Sequence, residues 1–404
     1  MTRHLFAGYA QRKITPSLDV PVFLAGFDQN RRASSVHDDL WVRTLVLACG
    51  EVRVALACID VIGLARHHCL DILQRINKKW PLDNLIVAVT HTHHGPDTIG
   101  LWGPDQSKSG VDLNYLNHLK KLVADCCNDA LHVLTPVTLC TATANVPDVV
   151  QNFRDPAIVD DELTCLQFVD RLEQVFATLL IYPCHPEAMW KDNTAVTSDY
   201  AHSLRQTVEL ATGAPALFCV GALGGMLSPN VSERSFAATE AMGKRLGEAA
   251  VQALNGQAAH PVTDLKLVRR EFTIPMANPV FLMAIESGLL PNIVQPDGTV
   301  LTEANLLRLK REGGDVLLAT VPGELLPKLG LALKAQMHDA GAETAAILGL
   351  ANDELGYILP AEDFVFPENP FEPETHYEET MSVGVDTGPT LMDELTKMIE
   401  QIKQ

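Results

Sequence analysis

A chain of 404 residues, 47% of them hydrophobic, can bury a large core, so a globular protein is expected. Its net charge of −19 argues against nucleic acid and anionic membrane surfaces as partners, because both attract clusters of Lys and Arg. The sequence has no apolar stretch long enough to span a bilayer and no secretory signal pattern, so no membrane insertion is expected. Nine scattered cysteines without a C-x-x-C pair fit a reducing compartment, which predicts a cytoplasmic location.

Strands and helices alternate along most of the sequence. The predicted strands are 43–48, 52–59, 85–89, 137–144, 163–169, 175–182, 216–220, 265–274, 316–321 and 345–350, and the predicted helices are 65–79, 113–134, 237–254 and 324–336. With no internal repeat or flexible linker, this rhythm predicts an α/β fold, in which a mixed, largely buried β-sheet is flanked by helices in a single large domain over residues 1–404. Segment 278–310 is expected to form a pocket wall or lid, and segment 353–379 a long ordered loop.

Three histidines follow the strand predicted at 85–89, in the segment THTHHGP at residues 90–96. His91 and His93 are two residues apart, so on an extended strand their side chains point the same way. Ligands bind at the carboxyl ends of strands in open α/β sheets. The pair therefore predicts a metal site or a catalytic role, and hydrogen-bonded histidines clustered by chance are the alternative.

Further polar residues follow three other predicted strands. His185 comes after strand 175–182 and is held between two prolines, which suits metal ligation. Ser228 lies in the glycine-rich turn 221–230 and could act as a nucleophile, an oxyanion donor, a partner for bound water or a plain helix cap. Glu324 follows Pro-Gly after strand 316–321, near the expected start of a helix whose dipole would favour an ionised carboxylate.

The segment after strand 345–350 adds Glu354 or Tyr357, either of which could face the same cleft, with the tyrosine as ligand or acid. Asp60 ends strand 52–59 and is expected to orient a ligand histidine. His37 could join Asp60 at a second cation site. The adjacent pair at 67–68, both histidines, is expected to be solvated and without a role.

In this order, the segments resemble the neutral/alkaline (non-lysosomal) ceramidase family. That family carries THTHSGP, a later HP dipeptide after a strand, G-[DN]-x-S-P-N, PGE before a helix, and a C-terminal asparagine–tyrosine segment. The counterparts here are THTHHGP at 90–96, HP at 185–186, GMLSPN at 225–230, PGE at 322–324 and the segment from Asn352 to Tyr357. The segments NFRDP at 152–156 and VDDEL at 159–163 also look like the family's NRSP and VD…L stretch. The resemblance spans most of the chain.

The resemblance implies a zinc-dependent amidohydrolase. In that reading His91 and His185 bind Zn²⁺ together with Glu324 and Tyr357, a set of two nitrogen and two oxygen ligands that leaves a position for water. Zinc would then activate the water and polarise the acyl oxygen.

The resemblance also implies that His93 and Arg154 line the substrate site and that Ser228 lies beside the reacting carbonyl. The predicted catalytic residues are therefore His93, Ser228 and Arg154, and the predicted substrate-binding residues are Arg154, His94 and Asp199. His94 stands where the family has Ser, and Asp155 also replaces Ser.

The predicted function is cleavage of an N-acyl amide, in a small-molecule or lipid-like substrate, by a metal-activated water. The chain is expected to be the catalytic domain without the family's C-terminal β-sandwich domain, and a homo-oligomer is possible. A zinc-dependent esterase or lactonase on the same scaffold is the main alternative. A non-catalytic metal-binding homologue and a hydrolase with Ser228 as nucleophile are the other two.

Overall fold

The computed structural model describes residues 4–79 and 81–403. The strands, in chain order, are β1 (Leu5–Lys13), β2 (Ser35–Val36), β3 (Trp41–Cys49), β4 (Val52–Ile59), β5 (Asn84–Val89), β6 (Thr135–Asn145), β7 (Val150–Asn152), β8 (Glu162–Asp170), β9 (Val175–Tyr182), β10 (Ala195–Val196), β11 (Ala216–Val220), β12 (Leu227–Pro229), β13 (Val262–Pro275), β14 (Thr299–Arg311), β15 (Asp315–Thr320), β16 (Glu324–Leu325), β17 (Ala342–Leu348) and β18 (Tyr357–Ile358). The helices are α1 (Arg66–Arg75), α2 (Leu113–His132), α3 (Tyr200–Thr212), α4 (Phe236–Leu254), α5 (Pro279–Glu286), α6 (Pro327–Asp339), α7 (Tyr377–Thr380) and α8 (Thr387–Lys403), with a short 3₁₀ turn at Ala361–Asp363.

Eight strands form the larger sheet, in the order β11-β9-β8-β6-β1-β3-β4-β5. Its centre is antiparallel, whereas the outermost pairs, β11 with β9 and β4 with β5, are parallel. The β3–β4 hairpin turns at Gly50, which adopts a φ of 63° that favours glycine. The mixed sheet predicted from the sequence is thus confirmed.

A second sheet, in the order β13-β14-β15-β17, packs face to face against the first. The layer between them is apolar and includes Leu56 and Phe168 from the larger sheet and Leu307 and Leu318 from the smaller one. Helices α1 to α4 cover the other face of the larger sheet, and α6 and α8 cover the other face of the smaller one. The α/β fold in one domain is confirmed, and its strands are buried because two sheets are stacked between two layers of helices.

The two edge strands of the larger sheet, β5 and β11, approach each other at their carboxyl ends. Residues 349–352 lie between them: the N–H of Gly349 donates to the carbonyl of Val220 on β11 (2.9 Å), and the N–H of Asn352 donates to Val87 on β5 (2.8 Å). The carboxyl ends of β5, β9 and β11 therefore converge, and the loops that leave them meet in one place.

Glu324 differs from its sequence prediction. The helix expected at 324–336 begins at Pro327, and Glu324 instead lies on the short strand β16, which pairs in parallel with β18. In that register Glu324 is the direct partner of Tyr357. The expected helix-dipole effect on Glu324 is therefore wrong, and a strand pairing between distant segments holds the carboxylate.

The structure also shows which elements lie in the two segments for which no helix or strand was predicted. Segment 278–310 contains α5 and β14, and the prediction of a long loop over 353–379 holds apart from three very short elements. Strand β1 and helices α3 and α8 were missed by the sequence patterns. Within the described ranges, no helix has the length and apolarity needed to cross a bilayer.

Candidate metal centre and active-site cavity

Three buried histidines meet where the strands converge. Ring nitrogens of His91, His93 and His185 all lie within 4.8 Å of one another, a grouping that could hold a metal ion. His91 follows β5 and His185 follows β9. His91 has a φ of 60°, a strained backbone conformation for a residue other than glycine, and such strain is concentrated at functional sites. His91 and His93 therefore converge through a turn, and the extended strand geometry assumed from the sequence is wrong.

Backbone carbonyls fix the orientation of two of these rings. Nδ1 of His91 donates to the carbonyl of Ile62 (2.5 Å), and Nδ1 of His185 donates to the carbonyl of Leu227 (2.9 Å). Because a carbonyl only accepts, each Nδ1 carries a proton, and in the neutral form of either ring the lone pair is therefore on Nε2. This is the arrangement by which proteins orient histidine ligands for a metal.

Glu324 joins the histidines from the other sheet layer. Its Oε2 lies 2.9 Å from Nε2 of His185, and its Oε1 lies 3.7 Å from Nε2 of His91. Burial opposes ionisation, but His91 and hydrogen bonds from His185 and Tyr357 outweigh it and hold the pKa of Glu324 below its usual range. Conversely, burial opposes a charge on His185, but Glu324 and Glu187 raise its pKa to about 9.

Tyr357 completes the predicted ligand set. Its hydroxyl donates to Sδ of Met226 (3.2 Å), and Tyr357 is the register partner of Glu324. Burial, reinforced by the nearby Glu324, raises the pKa of Tyr357 well above its ordinary value. All four residues predicted as ligands, His91, His185, Glu324 and Tyr357, are therefore brought together.

Glu187 is a site residue that the sequence patterns did not single out. Its side chain is fully buried, its Oε1 accepts a hydrogen bond from Oγ of Ser228, and its Oε2 lies 3.4 Å from Nδ1 of His93. Burial raises the pKa of Glu187. The sequence feature that could have identified Glu187 is its position two residues after His185, in the same segment at the end of a strand.

His93 faces the cavity with both ring nitrogens buried and, within the described ranges, without a hydrogen-bond partner. Burial together with His91 and His185 lowers the pKa of His93 well below its ordinary value, so the ring is neutral. Ser228 does not line the cavity, because its hydroxyl is directed at Glu187.

His94 and Asp199, predicted to bind substrate, lie behind the histidine loop. His94 is fully buried, with Nδ1 at 3.2 Å from the guanidinium of Arg31 and Nε2 at 3.5 Å from Oδ2 of Asp199. Asp199 caps α3 by accepting the N–H of Tyr200. Neither side chain reaches the cavity wall.

Arg154 is likewise set back from the cavity. Its guanidinium pairs with Glu378 and Glu379 of α7 and donates to the carbonyl of Asp363 (3.0 Å). The hydrogen bonds that Arg154 donates to Glu379 and Glu378 raise the pKa of Arg154 above its usual range. Arg154 thus fixes α7, whose first residue, Tyr377, does line the cavity.

Asp60 and His37 lie apart from the cluster. Both oxygens of Asp60 pair with the buried Arg205, at 2.8 and 2.9 Å, so the expected contact with a ligand histidine is replaced by an ion pair. His37 stacks on Phe236, with ring centroids 3.6 Å apart. The histidines at 67 and 68 were expected to have no role, but both line the cavity, and the first is exposed to solvent.

The cavity has a volume of about 330 Å³, within the size range of small-molecule sites. His91, His93, Glu324 and Tyr357 lie on its wall. Most of the remaining wall is apolar and includes Phe27, Ile62, Ile99, Leu101, Trp102, Val111, Leu116, Phe281, Ile285, Leu289, Leu290, Pro291 and Ile293. Helix α5 and the residues after it form one side, which confirms that segment 278–310 contributes a pocket wall.

Two solved structures share this architecture. Neutral ceramidase from Pseudomonas aeruginosa superposes with a TM-score of 0.80 over 99% of this chain and 74% of that protein, at 17% sequence identity. A ceramidase complexed with C2 gives a TM-score of 0.79 over 99% of this chain and 75% of that chain, also at 17% identity. No protein-family model and no curated protein sequence matches the chain. The chain therefore has the fold of neutral ceramidase, as its sequence motifs predicted.

Proposed function

We propose that this protein is a zinc-dependent amidohydrolase that cleaves the amide bond of an N-acyl substrate, as a ceramidase does, and that residues 1–404 act as a single catalytic domain. One observation carries the proposal: His91, Glu324 and Tyr357 lie on the wall of an apolar cavity, with His185 bonded to Glu324 behind it, on the fold of neutral ceramidase. An apolar cavity with a few convergent polar groups is the usual form of a small-molecule site.

The residues present fit a zinc ion. Because Nδ1 of His91 and Nδ1 of His185 each donate to a carbonyl, Nε2 is the nitrogen of each neutral ring that can bind a metal, and the Glu324 carboxylate lies within 4 Å of both Nε2 atoms. With the Tyr357 hydroxyl, these donors make a set of two nitrogens and two oxygens, which suits zinc. When bound, zinc supplies a Lewis acid that polarises an acyl carbonyl and makes water nucleophilic near neutral pH.

His93 is the group best placed to move a proton. Its neutral ring lies on the cavity wall, Nδ1 faces Glu187, and the ring nitrogens of His91 and His185 are close by. In the proposed reaction Nε2 of His93 takes a proton from the attacking water and passes it to the leaving nitrogen. The Glu187 carboxyl group, 3.4 Å from Nδ1, favours a proton on that nitrogen through its charge, and Ser228 donates a hydrogen bond to Glu187.

The other predicted site residues contribute through the backbone segments that they fix. Arg154 holds α7 and therefore Tyr377 on the cavity wall. Arg31 bonds the carbonyl of His93 and contacts the His94 ring, whose far side faces Asp199. We infer that Arg154, His94 and Asp199 shape the substrate site from behind its wall.

The same groups could polarise an ester, so an esterase or lactonase is the second candidate. A serine nucleophile is disfavoured, because the Ser228 hydroxyl is fully buried and donates to Glu187. The cytoplasmic location and the homo-oligomer stay predictions from the sequence.

The test is zinc content together with hydrolysis of a matched pair, N-dodecanoyl-4-nitroaniline and 4-nitrophenyl dodecanoate. Wild type is expected to hold about one zinc per chain and to hydrolyse the amide. His91→Ala and His185→Ala should lose zinc and activity together, whereas His118→Ala, at an exposed histidine on α2, should retain both. A wild-type protein that holds no metal after chelator-free purification would refute the proposal, and cleavage of the ester alone would favour the second candidate.

A further inference from the structure

The sulfur atoms of Cys58 and Cys219 are in contact inside the fold. Cys58 is the next-to-last residue of β4, and Cys219 is the next-to-last residue of β11. Their Sγ atoms lie 2.8 Å apart. A disulfide bond has an S–S length of about 2.05 Å, so a shift of less than about 1 Å brings the two sulfurs to bonding distance. The two thiols are therefore placed to form a disulfide bond.

Other cysteines of the chain make contacts of a different kind. All nine cysteines are buried free thiols. Contacts from sulfur to an oxygen atom, at 3.7 to 3.9 Å, are made by Cys69, Cys126, Cys127 and Cys184. Such contacts are ordinary for a thiol, which is a weak hydrogen-bond donor. The sulfur–sulfur contact of Cys58 with Cys219 is closer than any of these four.

This contact joins two strands that are far apart in the order of the larger sheet. Strand β11 is one edge of that sheet, and β4 lies next to β5, which is the other edge. The side chains of Cys58 and Cys219 both belong to the apolar layer between the two sheets. A bond between the two sulfurs would therefore cross-link the two ends of one sheet.

The backbone beside the two cysteines connects to the segments around the histidine cluster. The carbonyl of Ile59, which follows Cys58, accepts the N–H of Thr90 (2.9 Å), the residue before the first histidine of the cluster. The carbonyl of Val220, at the end of β11, accepts the N–H of Gly349 (2.9 Å). A covalent bond one residue before each of these positions would hold the two strand ends together where hydrogen bonds alone now do so.

Burial restricts when such a bond can form. The exposed fraction is 2% for Cys58 and 0% for Cys219, so an oxidant in solution does not reach either sulfur in the folded protein. Burial, and next the hydrogen bond with Cys58, raise the pKa of Cys219 well above its ordinary value. The thiolate, which is the attacking species in disulfide exchange, is therefore scarce once the chain has folded. Oxidation of the pair then takes place during folding.

We propose that Cys58 and Cys219 form a disulfide bond when the chain folds in an oxidising environment, and that this bond cross-links the two ends of the larger sheet. The S–H bonds of both thiols break, and one Sγ–Sγ bond forms through a mixed disulfide. Oxidised glutathione accepts the two electrons and the two protons and leaves as two molecules of reduced glutathione. In a reducing compartment the two thiols persist. Neither cysteine lines the cavity, so the cross-link does not depend on the proposed hydrolase reaction.

Counting the thiols of newly folded protein tests the proposal. The full chain is synthesised in a cell-free system with either reduced or oxidised glutathione in excess, and is then unfolded in urea and labelled with N-ethylmaleimide. After synthesis under reducing conditions, the intact mass should show all nine cysteines labelled, and after synthesis under oxidising conditions two fewer. Peptide mapping of the oxidised protein should find the peptide of Cys58 linked to the peptide of Cys219.

Variants and thermal melts add two further measurements. Cys58→Ala and Cys219→Ala should be labelled at every remaining cysteine under both conditions, whereas Cys127→Ala, at a buried cysteine on α2, should lose two labels on oxidation as wild type does. The bond closes a loop of about 160 residues, so oxidised wild type should melt about 3 to 6 °C above reduced wild type. Cys58→Ala should show no such difference.

Two results would overturn the proposal. The first is a wild-type protein that is labelled at all nine cysteines under both conditions, or whose linked peptides or glutathione adducts involve other cysteines instead. The second is an equal melting temperature for oxidised and reduced wild type, since a bond between the sheet ends must stabilise the fold. Where an alanine variant does not fold, the peptide map and the two melts of wild type decide, because neither requires a substitution.

Discussion

Nδ1 of His93 lies 3.4 Å from Oε2 of Glu187, and both atoms are buried. The other oxygen of Glu187 accepts the hydroxyl of Ser228, so a serine, a carboxylate and a histidine form a line that ends at the cavity. A carboxylate behind a histidine fixes both its ring orientation and its tautomer. The serine lies at the far end of this line from the cavity, where it supports the carboxylate.

This arrangement allows an experiment to distinguish two roles for Ser228: support of Glu187, or nucleophilic attack on the substrate. We expect Glu187→Gln to lower kcat about tenfold to a hundredfold, because His93 loses its orienting partner, with zinc content unchanged. Ser228→Ala should lower kcat by less than about tenfold, the usual worth of one hydrogen bond. Steady-state kinetics with parallel zinc analysis checks both. An inactive, folded Ser228→Ala protein would instead point to a nucleophilic serine.

Gly26 offers a steric test of His93. Gly26 has a φ of 78°, and an added Cβ would lie 2.4 Å from Nδ1 of His93, so Gly26→Ala must displace the ring. We expect kcat to fall at least about tenfold, since a small misplacement of a catalytic group is costly. Gly213→Ala is the matched control, because Gly213 has a similar φ of 69° and its Cβ would meet nothing within 4 Å. Equal activity losses in the two variants would show that backbone strain alone is responsible.

Removal of the metal should affect stability as well as activity. An ion bound by the folded chain and not by the unfolded chain stabilises the fold in proportion to its affinity and concentration. We therefore expect a chelator to abolish hydrolysis and lower the melting temperature, and added zinc to restore both. Differential scanning calorimetry of wild type and His185→Ala checks this, since the melting temperature of the variant should not respond to zinc.

Zinc affinity should rise with pH across the range set by His185. In the metal-free protein Glu324 helps raise the pKa of His185 to about 9, so zinc must displace a proton below that pH. The apparent affinity should increase by about tenfold per pH unit between about pH 7 and 9 and then level off. Glu324→Gln should shift the plateau to lower pH. A competition titration with a chromophoric chelator measures this, and a pH-independent affinity would contradict the ligand assignment to His185.

The raised pKa of His185 also makes the stability of the metal-free protein depend on pH. Since the folded pKa of His185 lies above the ordinary histidine value of 6.5, its contribution is fully present below pH 6.5 and is lost as pH rises through about 9. Urea unfolding of chelated protein at several pH values should show this loss in wild type, and a smaller one in Glu324→Gln. A contribution that grows with pH would mean that His185 and Glu324 do not form an ion pair.

Local signals in the sequence account for much of the fold. The strands at 175–182 and 216–220 were predicted with the observed bounds, because each is a continuous apolar run that ends at a turn. Strand β1 was missed because its burial is irregular, with polar and apolar residues mixed toward its end. The stacking of two sheets could not be predicted from the sequence either. An apolar strand that is buried by a second sheet has the same sequence pattern as one that is buried by helices.

The site was predictable where it depends on strand ends and unpredictable where it depends on distant pairings. His91 and His185 follow strands that the sequence marks clearly. Glu324 is held by the pairing of β16 with β18, which joins segments more than thirty residues apart and has no local pattern. Arg154 reaches glutamates more than two hundred residues away, so its ion pairs could not be inferred from its own motif.

The short segment 349–352, which bonds to β5 and to β11, has a consequence for how the protein matures. His91, His185 and Glu324 come from three distant stretches of chain, and this late segment bonds to β5, to β11 and to Gly323 next to Glu324. Contacts of such long sequence separation form late and slowly in folding. A cation bound at the proposed site would therefore join the protein after these long-range contacts have formed. Occupancy of the proposed metal site would then report that segment 349–352 has folded into place.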